Sequence, residues 1–522
     1  MALWGAQARS LPACGGVSGA GAGTPDGSPG WRMQYALRAI SARLREMALG
    51  RLSQSLPLGA GLSARASDSR ELTSLFAACD HVPMDDARAH ATAMVRRLRD
   101  AGYEALFAGG CVRDERLGRV AKDYDVATSA PAERVLALFP GSVPVGVQFG
   151  VVLVPRGAHR IEVATFRRDG VYLDARHPVS VHFGSAEDDA RRRDFTVNGM
   201  FYDPLTDRLI DYVGGEEDLR RGVIRAIGDP AARLDEDKLR MLRAVRLAAR
   251  LGFTIEPATW AAIERGAPTI DRIALERVGE EVRLILSEGA AKRGFELLHG
   301  SGLLAAVLPE VAAMEGVEQS PEHHPEGDVL RHTLLVIDQL RAPTETLAFG
   351  ALLHDVGKPV CAARRTLPGG ERITFYGHAE RGAEMAIAIC QRLRRSRAVW
   401  ERVAYLVRNH LRLVNAPNMR PATLKRFLRE EGIDELLELA RIDARAASGD
   451  LRYWEFCRAR LAGLSSEEMH PPRLVTGDDL IALGHAPGPR LGEILRALEE
   501  AQLEGTLSSR EDALDWVRRH YP

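Results

Sequence analysis

A glycine pair followed by two alternating aspartates constrains the fold of this chain more than any other feature. Gly109-Gly110 follows a short apolar run, and Asp123-Tyr124-Asp125 comes soon after it. The two glycines allow a backbone turn to approach phosphate groups with no Cβ in the way. In a strand, residues i and i+2 point to the same face, so both carboxylates can bind one metal ion. The segment therefore predicts a strand–turn–helix–strand unit suited to metal-assisted nucleotidyl transfer.

The length and composition of the chain indicate a protein with several domains. A chain of 522 residues is too long for one hydrophobic core. Because the formal net charge is −1, any nucleic-acid contact must come from local basic patches. The six cysteines show no CxxC spacing, which argues against a zinc ribbon or a disulfide framework and favours a reducing compartment. From the cysteine pattern we expect a cytoplasmic protein. No apolar run approaches the ~20 residues that span a membrane.

Residues 1–83 differ in composition from the rest of the chain. Residues 14–30 consist mainly of Gly, Ala, Ser and Pro, which cannot bury a core. We interpret 1–83 as a disordered or mis-called N-terminal extension, because Met84 opens an amphipathic helix and would make a sensible start. The alternative is an organellar transit peptide, since the first part of the chain is rich in arginine and poor in acids.

The rest of the chain divides into four predicted parts. Residues 84–230 have an α/β pattern, a small mixed sheet with helices, in which turn signals separate the strands. The remainder is predicted to be all-α, with a region at 231–320, a second at 321–450 and a tail region at 451–522. Among the individual elements, we predict a helix at 86–101, another at 112–117, strands at 150–155, 159–166 and 208–211, and one continuous helix over 235–251.

An arginine-rich segment at 191–198 follows the predicted strands. Arg191, Arg192 and Arg193 directly precede Asp194 and an apolar Phe195. A solvated basic helix end capped by the aspartate is one interpretation. The other is a nucleotide phosphate site, because the planar guanidinium group binds phosphate through two parallel hydrogen bonds.

A second charged segment repeats every third residue. Asp237, Arg240, Arg243 and Arg246 would spiral along one side of the predicted helix, which is also a pattern that an ordinary surface helix can carry. However, an aspartate and an arginine one turn apart suit the Watson–Crick edge of a base. The carboxylate accepts from an exocyclic amine, and the guanidinium donates to a ring nitrogen or carbonyl.

These segments together resemble the class II tRNA nucleotidyltransferase and bacterial poly(A) polymerase superfamily. The resemblance covers roughly residues 86–300 and consists of motifs in the same order at plausible spacing. Lys238, where proline is usual, and Gly199, where alanine is usual, are mild departures. The matching segments are Gly109-Gly110 to Asp123-Tyr124-Asp125 (motif A), 192–198 (motif B), 211–225 (motif C) and Glu236-Asp237-Lys238-Leu239-Arg240 (the nucleotide-selecting motif).

The resemblance implies a mechanism and an RNA partner. Asp123 and Asp125 would be the catalytic carboxylates that hold Mg²⁺, and Asp237 with Arg240 would pair with the incoming C or A. Residues 231–320 would then select the nucleotide and bind RNA. The implied nucleotide-binding residues are Gly110, Arg113, Arg193, Asp237, Arg240, Arg243 and Arg246.

Two activities occur in this superfamily, addition of CCA to tRNA and addition of poly(A). Residues 166–178 resemble the flexible loop of the CCA-adding enzymes, which in that family is linked to switching from C to A. We therefore expect transfer of C, C and A from CTP and ATP to the 3′ end of tRNA without a nucleic-acid template. The alternatives are a poly(A) polymerase, or an HD-domain nucleotide hydrolase or sensor that only binds RNA.

A second candidate metal site lies between residues 321 and 450. A lone His354-Asp355 pair would more often be an ordinary helix-end contact, but further histidines and an aspartate accompany it. Imidazoles combined with carboxylates suit Ni²⁺, Mn²⁺, Fe²⁺ or Zn²⁺ better than Mg²⁺. The spacing resembles the HD phosphohydrolase superfamily, with His324-Pro325-Glu326 as a further likeness to the HD-containing CCA enzymes. The implied ligands are His332, His354, Asp355 and Asp443, extended by His378 and His410.

The HD resemblance implies an additional metal-dependent phosphodiesterase or phosphatase activity. In tRNA enzymes of this kind the substrates are 2′,3′-cyclic phosphates and 2′-nucleotides. Lys358 is a further candidate for phosphate contact. The sequence is compatible with either a monomer or a dimer.

Overall fold

The computed structural model describes most of the chain from residue 85 onward. The described ranges are 85–146, 150–156, 159–169, 181–320, 327–367 and 370–522. The predicted extension at 1–83, most of the loop at 166–178 and the segment 324–326 therefore lie outside the described residues. All described residues belong to one compact unit.

The N-terminal part of this unit is built on a mixed sheet. Its central strands carry buried apolar side chains, so helices can cover both faces. The strands are β1 (Ala105–Ala108), β2 (Asp125–Thr128), β3 (Val143–Gly146), β4 (Val151–Arg156), β5 (His159–Thr165), β6 (Arg167–Asp169), β7 (Val181–Phe183), β8 (Phe201–Asp203) and β9 (Arg208–Ile210).

The strand order places the two aspartates near the middle of the sheet. The order is β3-β4-β5-β2-β1-β8-β9, while β6 and β7 form a separate two-stranded ribbon. β2 and β5 are parallel, with Asp125 opposite Glu162, whereas β1 is antiparallel to both β2 and β8. This arrangement confirms the predicted α/β class with a small mixed sheet.

Short helices surround the sheet and connect it to a helical region. Gly109 and Gly110 join β1 directly to the second helix, which begins at Gly110, two residues earlier than expected. The helices are α1 (Asp85–Asp100), α2 (Gly110–Arg116), α3 (Ala132–Leu138), α4 (Ala186–Arg191), α5 (Gly215–Arg221), α6 (Pro230–Glu236), α7 (Leu239–Leu251), α8 (Pro257–Gly266), α9 (Leu275–Ser287), α10 (Ala291–Gly300), α11 (Leu303–Val307) and α12 (Pro309–Ala312). A parallel pair, β10 (Val223–Ile224) and β11 (Thr254–Ile255), links the two regions.

The prediction of one continuous helix over 235–251 is wrong. Helix α6 ends at Glu236 and helix α7 begins at Leu239, because Asp237 has an extended backbone (φ −147°, ψ 101°). The Asp237 carboxylate accepts a hydrogen bond from the Leu239 amide at 3.1 Å, which is the contact of an Asx turn. Asp237 therefore lies in a break between two helices, and not one turn below Arg240 on a single helix.

The third region is a helical block with one hairpin. Its helices are α13 (Val329–Ile337), α14 (Glu345–Leu353), α15 (Lys358–Cys361), α16 (His378–Arg392), α17 (Arg397–Asn409), α18 (Pro421–Leu428) and α19 (Ile433–Ala446). The hairpin consists of β12 (Ala363–Leu367) and β13 (Gly370–Thr374) and separates α15 from α16. Helix α14 is buried along nearly its whole length, as expected for a helix with no polar face.

The C-terminal region has a hydrophobic cluster of its own. Its helices are α20 (Arg452–Gly463), α21 (Ser466–Met469), α22 (Gly477–Ala482), α23 (Pro489–Leu503) and α24 (Arg510–His520). Leu480, Ile494 and Leu498 form part of this cluster, whereas one large core extends from the sheet through the helical block. No helix in the described part of the chain is long and apolar enough to cross a bilayer. The four cysteines in that part are free.

Candidate functional site

Four sequence segments that are far apart in the chain meet at one cavity of about 320 Å³. The glycine turn, the strand β2, the arginine-rich segment and the break before α7 each contribute to its wall. A cavity of this size lies within the range of small-ligand sites. The lining residues are Gly109, Gly110, Asp125, Arg192, Arg193, Asp194, Asn198, Asp237, Arg240 and Arg243.

The glycine turn brings backbone and guanidinium groups together. Gly109 has φ 75°, a conformation that favours glycine, and a Cβ at this position would lie 3.0 Å from Arg193 Nη1. The Arg193 guanidinium therefore occupies space that is open because residue 109 has no side chain. The turn and Arg193 form one electropositive surface, as expected for a triphosphate site.

Asp189 orients the two cavity arginines. Its buried carboxylate accepts from Arg192 Nε at 2.8 Å and from Arg193 Nη2 at 2.9 Å. Burial alone would raise the pKa of Asp189, but the charges of Arg193 and Arg192 outweigh that effect and lower it. Asp189 lies on α4, three residues before Arg192 and four residues before Arg193. Side chains at this spacing meet on a helix, so the sequence could have identified Asp189.

Asp194 connects the arginine-rich segment to helix α7. Its carboxylate accepts two hydrogen bonds from Arg243, at 2.9 and 2.7 Å, and one each from the Phe195 amide and Asn198 Nδ2. Although burial opposes ionisation, the Arg243 charge and these hydrogen bonds lower the pKa of Asp194 to about 2. Asp194 is thus an anchor for Arg243, which lines the cavity.

The two aspartates of the alternating pair have different surroundings. β2 begins at Asp125, so Asp123 precedes the strand, although both side chains are exposed while Tyr124 between them is buried. Asp125 opens to the cavity but is otherwise surrounded by protein. Desolvation, the neighbouring Glu162 and then Asp123 raise the pKa of Asp125 to about 7, with Arg193 opposing.

Glu162 is a carboxylate that the sequence analysis missed. It lies opposite Asp125 on the parallel strand β5, and burial raises its pKa as well. Adjacent carboxylates that repel one another are the donor set that a hard cation such as Mg²⁺ neutralises. The residues present therefore fit a divalent cation bound beside Asp125.

Asp237 and Arg240 lie on the wall of the cavity and already have protein partners. Arg277 on α9 donates to both oxygens of Asp237, at 3.1 and 2.7 Å. Arg240 donates to Glu236 at 2.6 Å and to the Arg233 carbonyl at 2.7 Å. Together with the Leu239 amide, Arg277 leaves about one acceptor position on the Asp237 carboxylate, and Arg240 keeps further N–H donors. The pair is therefore held in place and can still bond to a base.

Two of the expected nucleotide-binding arginines are used inside the protein. Arg113 is buried below the turn, where it donates to Asp114 at 2.8 Å and to Asn198 at 2.5 Å. Arg246 is bound by Glu281 at 2.7 Å and by Glu288 at 3.2 Å, away from the residues that line the cavity. Both side chains turn inward because buried carboxylates compete for them, so they support the site from behind.

The segment that resembles motif C, residues 211–225, also makes its contacts inside the protein. Asp211 accepts from the amides of Val213, Gly214 and Glu216, which fixes the turn that starts α5. Asp218 then accepts from Thr196 at 2.8 Å and so ties α5 to the arginine-rich segment. These contacts hold the cavity wall without reaching the cavity.

The six expected ligands of the second metal site come together from five helices or helix ends. The structure divides them into two groups of three, in which the ligand atoms lie within 4.8 Å of one another. The first group consists of His332, His354 and Asp443, and the second consists of Asp355, His378 and His410. Asp355 also faces the first group, since its Oδ2 lies 3.2 Å from His354 Nε2 while its Oδ1 lies 3.5 Å from His378 Nε2. The expected core of four ligands with two extensions is compatible with this arrangement.

Three histidines present the same ring nitrogen to the centre. Nδ1 lies 2.9 Å from the Ala351 carbonyl in His354, 2.8 Å from the Phe375 carbonyl in His378 and 2.7 Å from the Val407 carbonyl in His410. A carbonyl only accepts, so we assign the proton to Nδ1 and the lone pair to Nε2 in each ring. This tautomer is the one that binds a metal through Nε2.

The lone pairs at this centre face one another. Nε2 of His378 lies 3.4 Å from Nε2 of His410, and Nε2 of His354 lies 3.2 Å from a carboxylate oxygen of Asp355. Within the described residues, His354 Nε2 and Asp355 Oδ1 are buried and make no hydrogen bond. Acceptor atoms in contact in a buried space are unfavourable unless a cation lies between them. The arrangement therefore fits bound metal ions.

A neighbouring charge and burial keep the carboxylate ionised and the histidines neutral at this centre, which are the forms that bind a metal. Lys358 pairs with Asp355 at 2.7 Å, and although burial would raise the pKa of that carboxyl, the Lys358 charge holds it well below its usual range. Burial lowers the pKa of His410 to about 4, and it lowers that of His378 as well. Lys358 also donates to Gln319, so two of its three N–H donors are used inside the protein and the ammonium group positions Asp355.

Comparisons with known protein families match four consecutive segments of the chain. Residues 105–225 match the Poly A polymerase head domain, and 252–315 match the probable RNA and SrmB-binding site of polymerase A. Residues 328–447 match the HD domain, and 465–517 match a putative domain 2 of tRNA nucleotidyltransferase. The order of these matches agrees with the resemblance found in the sequence.

Alignments with individual relatives cover most of this chain and most of each relative. The A-adding tRNA nucleotidyltransferase of Deinococcus radiodurans is 36% identical over 80% of this chain and 95% of its own. The CC-adding tRNA nucleotidyltransferase of Thermus thermophilus is 35% identical over 78% of this chain and 92% of its own. Among solved structures, the Bacillus stearothermophilus CCA-adding enzyme in complex with CTP is 28% identical, with a TM-score of 0.64 over 84% of this chain and 98% of that one.

Proposed function

The chain belongs to the tRNA nucleotidyltransferase family, and we propose that it adds C, C and A to the 3′ end of tRNA from CTP and ATP. The observation that carries this proposal is the single cavity that joins Asp125, the glycine turn with Arg193, and the pair Asp237 and Arg240. Metal binding, triphosphate binding and base recognition are thus all available around one bound nucleotide.

The chemistry of the base-reading pair suits C and A together. Both bases present an exocyclic amine next to a ring nitrogen that accepts. A carboxylate and a guanidinium side by side complement that pattern, whereas U and G present a carbonyl next to a ring N–H. Asp237 would accept from the amine and Arg240 would donate to the ring nitrogen. Selection would then need no nucleic-acid template.

The carboxylates of the head would hold the catalytic cation. We assign Mg²⁺ to Asp123 and Asp125, with Glu162 beside them. When bound, Mg²⁺ would lower the pKa of the primer 3′-hydroxyl and neutralise the triphosphate. Arg193 and the amides of the glycine turn would orient the triphosphate, while Asp189 and Asp194 keep the cavity arginines in position.

Enzymes of this family differ in which of the three nucleotides they add. The relatives named above are A-adding, CC-adding and CCA-adding enzymes, and they share the fold of this chain. The loop at 166–178 resembles the one linked to switching from C to A, which favours an enzyme that completes the CCA end. Addition of the terminal A alone is the second candidate, supported by the identity to the A-adding relative.

Transcripts of one tRNA that end at successive positions test these alternatives. The protein, Mg²⁺, CTP and ATP are incubated with tRNA that lacks CCA, lacks CA or lacks only A. We expect all three to be completed and growth to stop after the terminal A. Incorporation restricted to the third transcript would identify an A-adding enzyme, and a long A-tail on unrelated RNA would identify a poly(A) polymerase.

We further propose that the histidine centre is a metal-dependent phosphohydrolase. His332, His354 and Asp443 would hold one ion, and Asp355, His378 and His410 a second one, both of a transition metal such as Ni²⁺, Mn²⁺, Fe²⁺ or Zn²⁺. When bound, the ions would lower the pKa of a water molecule and neutralise phosphate oxygens. The fixed Nε2 lone pairs of His354, His378 and His410 support this assignment.

The activity of this centre is tested with 2′,3′-cyclic AMP. The wild-type protein should hydrolyse it with an added transition metal, and the His354→Ala variant should not. The same variant should complete the CCA end at the wild-type rate. Loss of both activities in a protein that remains folded would contradict two independent sites.

A further inference from the structure

The hairpin β12–β13 lies in the chain between two residues of the histidine centre and carries none of its metal ligands. Most of its described side chains are exposed, and it joins Lys358 on α15 to His378 on α16. Five residue pairs make up its ladder, so it extends roughly 16 Å at about 3.3 Å per residue. A projection of this length next to a candidate active centre offers a surface larger than one nucleotide.

One face of the hairpin combines two arginines and a tyrosine. Arg365 lies directly opposite Arg372 in the ladder, so both side chains point to the same face. The Arg365 guanidinium lies over the ring of Tyr376, 5.3 Å from its centroid, and Tyr376 is 67% exposed. We call Arg365, Arg372 and Tyr376 the hairpin face.

The opposite side of the same hairpin has a different character. Arg364 and Glu371 are on that side, one of each charge, and Arg364 faces Glu318 at 3.8 Å. In the ladder of the hairpin, the hairpin face therefore carries two arginines and no acidic residue, while the other side carries both charges. Such an asymmetry is a charge complement to a polyanion.

The base of the hairpin is part of the wall of the histidine centre. The Phe375 carbonyl fixes His378 through Nδ1 at 2.8 Å, and the Phe375 ring lies 5.5 Å from Lys358 Nζ. Tyr376 is the residue between Phe375 and Gly377, directly before His378. The hairpin face therefore ends two residues before a metal ligand in the chain.

We propose that the hairpin face binds a single-stranded RNA end and leads its terminal phosphate to the histidine centre. This inference rests on the phosphohydrolase activity proposed above. Arg365 and Arg372 would bind backbone phosphates, and Tyr376 would stack on an unpaired base. Exposed aromatic rings between basic side chains are the usual platform for single strands, whereas a duplex hides the faces of its bases.

The hydrolysis itself is the same for short and long substrates. A water molecule adds to the phosphorus of the 2′,3′-cyclic phosphate, one ester P–O bond breaks, and the released sugar oxygen takes up a proton. The hairpin face takes no part in this step. It should therefore affect only substrates that extend beyond the terminal nucleotide.

The test compares two substrates, 2′,3′-cyclic AMP and a short oligoribonucleotide that ends in a 2′,3′-cyclic phosphate. In the Arg365→Gln/Arg372→Gln double variant and in Tyr376→Ala, kcat/KM for the oligonucleotide should fall about tenfold or more, through KM. Values for 2′,3′-cyclic AMP should stay at the wild-type level. The matched control is Arg364→Gln on the opposite side of the hairpin, which should behave as wild type.

Salt dependence gives a second readout. The slope of log kcat/KM for the oligonucleotide against log salt should become shallower by about 1.4 in the double variant, since about 0.7 is lost for each phosphate contact with a single strand. An equal loss on both substrates, or an equal loss in Arg364→Gln, would overturn the hairpin face as an RNA site.

A wild-type protein that hydrolyses neither substrate would refute the phosphohydrolase, and the hairpin face is then tested by cross-linking. The oligonucleotide carries a photoreactive 4-thiouridine next to its end. Wild type and Arg364→Gln should cross-link at the peptide that contains Tyr376, and the double variant should not. Cross-linking elsewhere only would overturn the inference independently.

Discussion

The nucleotide cavity and the histidine centre use charged side chains in opposite ways. Apart from Asp125, the aspartates that line the cavity are paired with arginines, as Asp194 is with Arg243 and Asp237 with Arg277. At the histidine centre, buried acceptor atoms such as His354 Nε2 and Asp355 Oδ1 make no hydrogen bond within the described residues. The cavity is therefore stable without a ligand and suits a nucleotide that binds and leaves. The centre suits ions that remain bound.

The largest expected effect is the loss of nucleotidyl transfer, without loss of hydrolysis, when a carboxylate of the nucleotide cavity is removed. Asp125→Ala should reduce nucleotidyl transfer by at least about 10³-fold, because several kcal/mol of charge stabilisation would be lost. Hydrolysis of 2′,3′-cyclic AMP should be unchanged. Both rates are measured on the same preparation. A similar decrease in both would show that the two sites are coupled and would remove the contrast between them.

The next effect concerns the number of ions at the histidine centre. His378→Ala should lower the bound transition metal from about two ions per chain to about one, and should reduce hydrolysis roughly 100-fold. Metal content is measured by elemental analysis after dialysis. His299, which pairs with Glu315 outside the centre, provides the control variant His299→Ala. One ion per chain in the wild type would refute the division into two groups.

A smaller effect tests whether the ion pairs of the cavity position the base reader. Arg277→Met removes the partner that fixes both oxygens of Asp237, so discrimination of CTP against UTP should fall about tenfold. The matched control is Arg283→Met on the same helix, whose guanidinium binds Glu280 at 2.7 Å. Equal slowing with every nucleotide, with selectivity retained, would mean that Arg277 only stabilises the fold.

The smallest expected effect is a difference between the two sites in how their metal binding depends on pH. The pKa of Asp125 is raised to about 7, so its carboxylate is lost as pH falls through 7, and Mg²⁺ must compete with a proton. The Mg²⁺ concentration for half-maximal transfer should rise about threefold when pH falls by one unit centred on 7. Metal affinity of the histidine centre should change little over that interval, since the pKa of His410 is about 4. A flat Mg²⁺ requirement would contradict the assigned state of Asp125.

The sequence predicted the parts of the site that depend on local pattern. Glycines before a helix, aspartates at a strand and histidines at helix ends are each recognisable within a few residues. The structure confirms the mixed sheet and the helical remainder, and it brings Gly110, Arg193, Asp237, Arg240 and Arg243 to one place. Each of those residues belongs to a motif that a short stretch of sequence is enough to recognise.

The parts that the sequence could not predict depend on competition between distant charges. Arg113 and Arg246 match the expected pattern, but Asp114, Glu281 and Glu288 bind them inside the protein. The break at Asp237 has a partly similar origin, since its carboxylate binds Arg277 on a distant helix as well as the nearby Leu239 amide. Glu162 was missed because its importance comes only from the pairing of β5 with β2.

Sequencing of tRNA 3′ ends measures directly which nucleotides this protein adds and in which order. A tRNA that lacks CCA is incubated with the protein, Mg²⁺ and all four nucleoside triphosphates together. We predict that nearly all extended molecules end in CCA, and that Arg277→Met introduces U at the C positions. Extension by A alone, a long A-tail or indiscriminate incorporation in the wild type would contradict it.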